Sequence, residues 1–167
     1  MIMKIEEATD NDLKKILELQ KLAFRQQAEI YNDFSIPPMV QTLKEIEKDF
    51  LFQAFLKTTI NEQIMGSVRA YKQNDTCHIG RLIVNPEYQN LGIGTTLMKE
   101  IEAKFKGSHR FVVFTGNKSK KNLHLYEKLG YSIYKKDVIN DKLTMIYLEK
   151  IIKEMKEKDN TSQNVYI

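Results

Sequence analysis

The sequence has one cysteine, Cys77, no tryptophan, three prolines and three scattered histidines in 167 residues. A single cysteine cannot close an internal disulfide, and no Cys/His spacing matches a metal site, so the expected chemistry is reduced and metal-free. No apolar run approaches the roughly 20 residues that span a bilayer. The opening "MIMKIEEATDND" lacks a basic segment followed by an apolar core, so no signal peptide is expected and the protein reads as cytoplasmic, with no membrane partner. Charge of one sign is nowhere concentrated. The 26 Lys and Arg against 22 Asp and Glu leave a net +4, but they interleave, as in "LKEIEKD" and "KIIKEMKEKD". Surfaces that grip phosphate backbones are usually clustered, so no nucleic-acid partner is expected, whereas a small anionic ligand is compatible.

What is present is an ordinary soluble composition, 42% hydrophobic and 29% charged, over a length that suits one domain. Lys4 to Ala8 reads as a short strand. Leu13, Ile16, Leu17, Gln20 and Phe24 have helical spacing, with Leu19 off the stripe, and predict a helix from about Asn11 to Phe24 capped by Thr9 or Asp10. Pro37 and Pro38 suit the first turn of a second helix, from about Pro38 to Asp49. From Leu51 the pattern turns to strands: three segments separated by Asn61-Glu62 and Asn74-Asp75 predict an antiparallel meander ending in "TCHIGRLIVN". Ile93, Leu97, Met98, Ile101 and Phe105 then share one helical stripe. "RFVVFT" reads as a strand buried on both faces, "SKKNLHLYEKL" as a helix ended by Gly130, and "YSIYKK" with "KLTMIYLEK" as a closing hairpin. The expected fold class is α/β of the α+β type, a mixed and mostly antiparallel sheet with about four helices. Residues 1–152 form the domain and 153–167 a polar tail.

The distinctive stretch is "NPEYQNLGIGTTLMKE", where Gly92 and Gly94 follow a buried strand and open a helix. Free N–H groups and the helix dipole make such a start an anion site, and phosphates are its natural guests. The Rossmann fingerprint fails here, because position 97 is Leu and seven residues separate the strand from Gly92. The Walker A pattern fails too, because the chain has no Gly-Lys-Ser/Thr. Gln-x-x-Gly-x-Gly fits.

That pattern, "LIVNPEYQNLGIGTTLM", followed about thirty residues on by "NLHLYEKLGY", resembles the GNAT superfamily of acyl-CoA N-acyltransferases over roughly residues 3 to 150. The resemblance implies acetyl-CoA as cosubstrate. Its pyrophosphate would lie on Gln89, Asn90, Leu91, Gly92, Ile93, Gly94 and Thr95, with its pantetheine arm along the preceding strand and held by the Val84 N–H. The Leu82 N–H would face the developing oxyanion. Asn117 and Asn122 are candidates for a coenzyme contact made by an Asn in many relatives, where this chain has Ser119.

Acetyl transfer from a thioester to an amine needs a neutral amine, a stabilised oxyanion and a protonated leaving thiolate. Tyr126 is the candidate for protonating the thiolate. For the base, positions where relatives carry Glu are His78 and Phe114; a neutral imidazole can accept a proton near pH 7, so His78 is the second catalytic candidate. No base is placed beside Cys77, which argues against a covalent acyl-cysteine.

The acceptor would be an amine-bearing small molecule or peptide. Tyr31, Asp33 and Phe34, between the first two helices, offer an aromatic wall and a carboxylate for a cationic amine. The expected function is direct N-acetyl transfer in a ternary complex. The alternative is a non-catalytic acetyl-CoA sensor, kept open by the missing carboxylate base. Open sheet edges would allow a homodimer.

Overall fold

The fold was described from a computed structural model, over residues 2–153; the remainder of the expected polar tail, 154–167, lies outside the described residues. Strand β1 (Met3–Glu7) leads through a 3-10 turn into α1 (Leu13–Tyr31), followed by α2 (Pro37–Val40) and α3 (Leu43–Phe52). The meander β2 (Ala54–Ile60), β3 (Gln63–Gln73) and β4 (Thr76–Val84) precedes α4 (Ile93–Lys104), β5 (Arg110–Gly116), α5 (Lys120–Lys128) and the hairpin β6 (Ser132–Val138) and β7 (Thr144–Ile151). This is the expected α+β architecture, with five helices.

Two helical expectations need correcting. α1 continues past Phe24 to Tyr31, because "RQQAEIY" consists largely of good helix formers and its apolar members Ala28 and Tyr31 extend the buried stripe. It stops at Asn32, which is left-handed with φ 47°. Leu19, off the expected stripe, is buried as well. The segment expected as one helix from Pro38 is two. The prolines start a single turn, and Thr42 then restarts the chain: its Oγ1 accepts the Glu45 N–H at 3.2 Å while Glu45 Oε2 accepts the Thr42 N–H at 2.8 Å.

The seven strands are ordered β1-β2-β3-β4-β5-β7-β6. The turns at Asn61-Glu62 and Asn74-Asp75 have positive φ at all four residues, the backbone that two-residue hairpins require. Gly130, with φ 97°, follows α5 as expected. One core lies between the sheet and α4 and α5, with Leu97, Met98, Ile101 and Leu148 fully buried; the other lies against α1 and α3, around Leu13, Ile16 and Ile46. β5 is not buried on both faces, since Phe114 is 50% exposed.

Two irregularities of β4 position the site. Every neighbouring pair is antiparallel except β4 and β5, which pair in parallel over only Thr76–Arg110, Cys77–Phe111 and His78–Val112 and then part. On its other edge β4 bulges: Ser67 pairs with Ile83 and Arg69 with Gly80, so Arg81 and Leu82 together oppose Val68. Arg81 takes a left-handed φ of 48°. The extra residue inverts the alternation, so Cys77 and Ile79 share a core with Leu82 and Val84, while Ile83 packs on the α1 side.

Leu148→Ala removes a fully buried side chain from β7 and is expected to lower unfolding stability by about 2–5 kcal/mol in a denaturant titration.

Candidate active site

Past His78, the edge of β4 that faces β5 has no strand partner. The Asn85 N–H donates to Met65 O at 2.7 Å on the β3 side. By the two-residue alternation of a strand, the N–H groups of Leu82 and Val84 point the other way, into the gap.

A cavity of about 470 Å³ occupies the wide end of this gap. Its walls are Leu82 to Val84, the loop and first turn of α4, the C-terminal half of α1, and α5. A 3-10 turn, Pro86–Tyr88, fixed by Asn85 Oδ1 accepting the Glu87 N–H at 3.0 Å, leads the chain into the loop. Asn90 and Gly92 are left-handed, with φ 63° and 80°. Thr96 Oγ1 donates back to Gly92 O at 2.9 Å, which leaves the N–H groups of Ile93, Gly94 and Thr95 as the open donors of the first turn. A Cβ at Gly94 would meet nothing closer than Leu125 Cδ2 at 3.5 Å. The protein's own packing therefore tolerates a side chain there, and the glycine keeps the backbone accessible from the cavity. Lys121, His124 and Lys128 of α5 line the opposite wall. Their i, i+3, i+7 spacing places them on one helical face, a signal present in the sequence that went unused. Open backbone donors, a helix N-terminus and two lysines together suit an anionic, phosphate-bearing guest.

A second cavity, of about 440 Å³, begins along β4 where the first stops: His78 to Arg81 line it, whereas Leu82 to Val84 line the first. Val112 to Phe114 of β5, Tyr71, Tyr134 and Tyr147, and the charged residues Asp49 and Arg69 complete it.

A family model described as the acetyltransferase (GNAT) family matches residues 13–131, which contain both cavities' strands and the glycine loop. The chain belongs to the GNAT acetyltransferase family. Its cosubstrate is acetyl-CoA, and the first cavity suits it: unpaired strand N–H groups, an open helix start and basic side chains. The fold is similar to that of the PaiA N-acetyltransferase from Thermoplasma acidophilum in complex with coenzyme A, at 17% identity over 91% of this chain and all of that one, TM-score 0.74. The ribosomal-protein-S18-alanine N-acetyltransferase from Escherichia coli matches at 15% identity over 99% of this chain and 100% of its own, TM-score 0.75. The Salmonella typhimurium protein yncA, with its cofactor acetyl-CoA, matches at 20% identity over 95% and 98%, TM-score 0.71.

Of the loop residues that the GNAT resemblance singled out, Gln89, Asn90, Gly92, Ile93, Gly94 and Thr95 line the first cavity, with Leu82, Val84 and Asn122. Leu91 is exposed and does not. Asn117 braces the end of β5 instead, its Oδ1 accepting the Thr144 N–H at 2.9 Å. Tyr126 is buried, sharing a core cluster with Cys77 and Ile79 of β4 and Phe111 and Val113 of β5, beside the point where those strands part. It lines neither cavity. Burial pushes its phenol pKa up, so it keeps its proton at neutral pH. His78 lines the second cavity and stacks on Tyr71 at 4.8 Å. Burial, and then the charge of Arg110, lower its pKa, which favours the neutral imidazole.

Tyr31, Asp33 and Phe34 line neither cavity. Tyr31 is buried, its hydroxyl 2.9 Å from Ser119 Oγ and accepting the Lys118 N–H at 2.9 Å. Asp33 Oδ1 accepts from the Ser35 N–H at 2.8 Å, and Phe34 is half exposed. Ser119 Oγ also meets Gln27 Oε1, so this position ties α1 to the start of α5. Arg69, Arg81 and Asp49 escaped the sequence reading; no local spacing joins residues of α3, β3 and β4.

Gly94→Ala is expected to leave the unfolding midpoint unchanged or slightly raised, since alanine gains up to about 1 kcal/mol over glycine in a helix. It should weaken acetyl-CoA binding at least about tenfold by narrowing the backbone approach, a change isothermal titration would read.

Proposed function

We propose that the protein transfers the acetyl group of acetyl-CoA directly to a primary amine, with both substrates bound at once. The observation that carries this reading is the division of β4: Leu82 to Val84 wall one cavity and His78 to Arg81 the next, so two ligands can meet at one strand without a carrier. A covalent acyl-cysteine has no support, because Cys77 is fully buried and burial pushes its thiol pKa up to about 12.

Acetyl-CoA supplies the activated acyl group; the chain supplies donors, an acid and a base. The Leu82 N–H points into the gap and would hold the negative charge that develops on the thioester oxygen, and the Val84 N–H would pair with the pantetheine arm. Asn122, whose Nδ2 donates to Thr115 Oγ1 at 3.3 Å, would contact the coenzyme from α5. Tyr126 would protonate the departing thiolate, its proton retained by burial. His78 would take the amine proton, directly or through water. The acceptor is an amine-bearing small molecule or peptide, and the domain spans residues 1–152. β1 and β6 end the sheet with one edge unpaired, the surfaces through which a homodimer would form.

Release of free thiol from acetyl-CoA with a panel of amines tests the reading. Tyr126→Phe is expected to lower kcat about 10²-fold or more while leaving acetyl-CoA affinity within about twofold. Equal turnover by the two proteins would remove the acid role. The base is active when deprotonated, and His78 is held below its ordinary value. Wild-type activity should therefore be on its plateau at pH 7 and fall only as pH drops through that lowered value. His78→Ala should abolish this acidic limb; an unchanged profile assigns the proton to water or another group.

A further inference from the structure

The second cavity has an electrostatic character that the sequence concealed. Arg69 is already committed: Nη1 donates to Asp49 Oδ2 at 2.9 Å, and Nη2 to Gln20 Oε1 at 2.5 Å and Gln41 Oε1 at 3.2 Å. Asp49 Oδ2 also accepts from Gln41 Nε2 at 2.7 Å. Arg81 has no such commitment. No carboxylate forms an ion pair with it among the described residues, and its Nε is buried without a hydrogen-bond partner. Two arginines against one aspartate leave the cavity with a positive charge to spare. The Arg81 backbone is held at φ 48°, a conformation an arginine adopts at a cost, directly before Leu82, where the two cavities meet.

Gly80 makes a second, independent point. Its φ is not positive, and a Cβ built there meets nothing within 4 Å, so neither backbone nor packing calls for glycine. The space its missing side chain would occupy belongs to the cavity it lines. Room and unspent charge thus sit side by side on β4, under a wall formed by Tyr71, Tyr134, Tyr147 and Phe114.

We infer that the acceptor is an amine that also carries an anionic group, a carboxylate or a phosphate, held by Arg81 with the body of the molecule over Gly80 and against the tyrosines. This rests on the acetyl-transfer reading and adds the substrate class. An unpaired guanidinium is a fork for carboxylate or phosphate oxygens. The same field repels a second ammonium, so a polyamine is the wrong guest. It also disfavours the protonated form of the reacting amine, which must be neutral to attack.

The test compares an aromatic amino acid, its amide, an aminoalkyl phosphate and a linear polyamine as acceptors with acetyl-CoA. The amino acid or the aminoalkyl phosphate should exceed the amide by about tenfold or more in kcat/KM, with the polyamine poorest. Which anion wins identifies its source. Arg81→Gln should reduce the advantage of acid over amide to near one. Gly80→Ala should weaken acceptor binding with the unfolding midpoint and acetyl-CoA affinity retained, a control should Arg81→Gln fold poorly. Turnover with the polyamine as good as with the anionic amines keeps the transferase and overturns the anion site. If no amine turns over, titration of the N-acetylated amino acid and its amide in the presence of coenzyme A decides: stronger binding of the acid, lost in Arg81→Gln, supports the site. Equal binding, or none, overturns it.

Discussion

The structure depends on a pairing that is not completed. β4 and β5 hold together over three residue pairs and then separate, which leaves backbone donors of Leu82 and Val84 without partners in a protein that satisfies nearly all such groups elsewhere. β5 cannot swing across to close the gap, because its other edge is paired with β7 along its whole length, from Arg110–Ile151 to Gly116–Met145. β4 cannot either, since β3 holds it up to Ile83 and Val84. The opening is therefore built into the sheet, and an extended ligand lying along β4 would complete the ladder as a strand would.

The charges around the gap divide by cavity. At the wide end the positive character comes from a helix start and from lysines, groups that remain hydrated and suit a large anionic ligand. At the narrow end it comes from arginines taken out of water. Burial, then the nearby Arg81 charge, bring the Arg69 pKa down to about 10, with Asp49 opposing, and it still stays charged at neutral pH. Gln20 and Gln41 surround it, and Gln20 Nε2 is itself tied to Pro38 O at 2.9 Å and Gln41 Oε1 at 3.0 Å. One buried cation thus organises α1, α2 and α3 against β3, and this network forms the back wall on which Arg81 is left free.

The glycine loop and the Tyr-bearing helix were legible in the sequence because their chemistry is local: a left-handed residue, an open first turn and a tyrosine on a helix all fall within short stretches. The meander was legible from its turns, and the end of α5 from Gly130. The acceptor side was not. Arg69 and Asp49 lie twenty residues apart on different elements, and the freedom of Arg81 is a property of what surrounds it. Tyr31 and Asp33 looked available because a segment rich in aromatic and acidic residues between helices resembles a binding loop. The first is spent bracing α5 and the second capping its own turn. The break between α2 and α3 was readable from Thr42 and Glu45, but the apolar spacing across it mimicked one continuous helix.

The bulge at Arg81 and Leu82 makes the length of β4 as much a part of its design as its residue types. Loss of a single residue there would restore a regular strand and exchange everything beyond it between the two faces of the sheet. Leu82 and Val84 would leave the core beneath α4, and their amides would turn toward β3. Descendants of this gene can therefore vary the side chains of "GRLIV" far more freely than they can vary their number, and an alignment of relatives should show this stretch free of insertions and deletions.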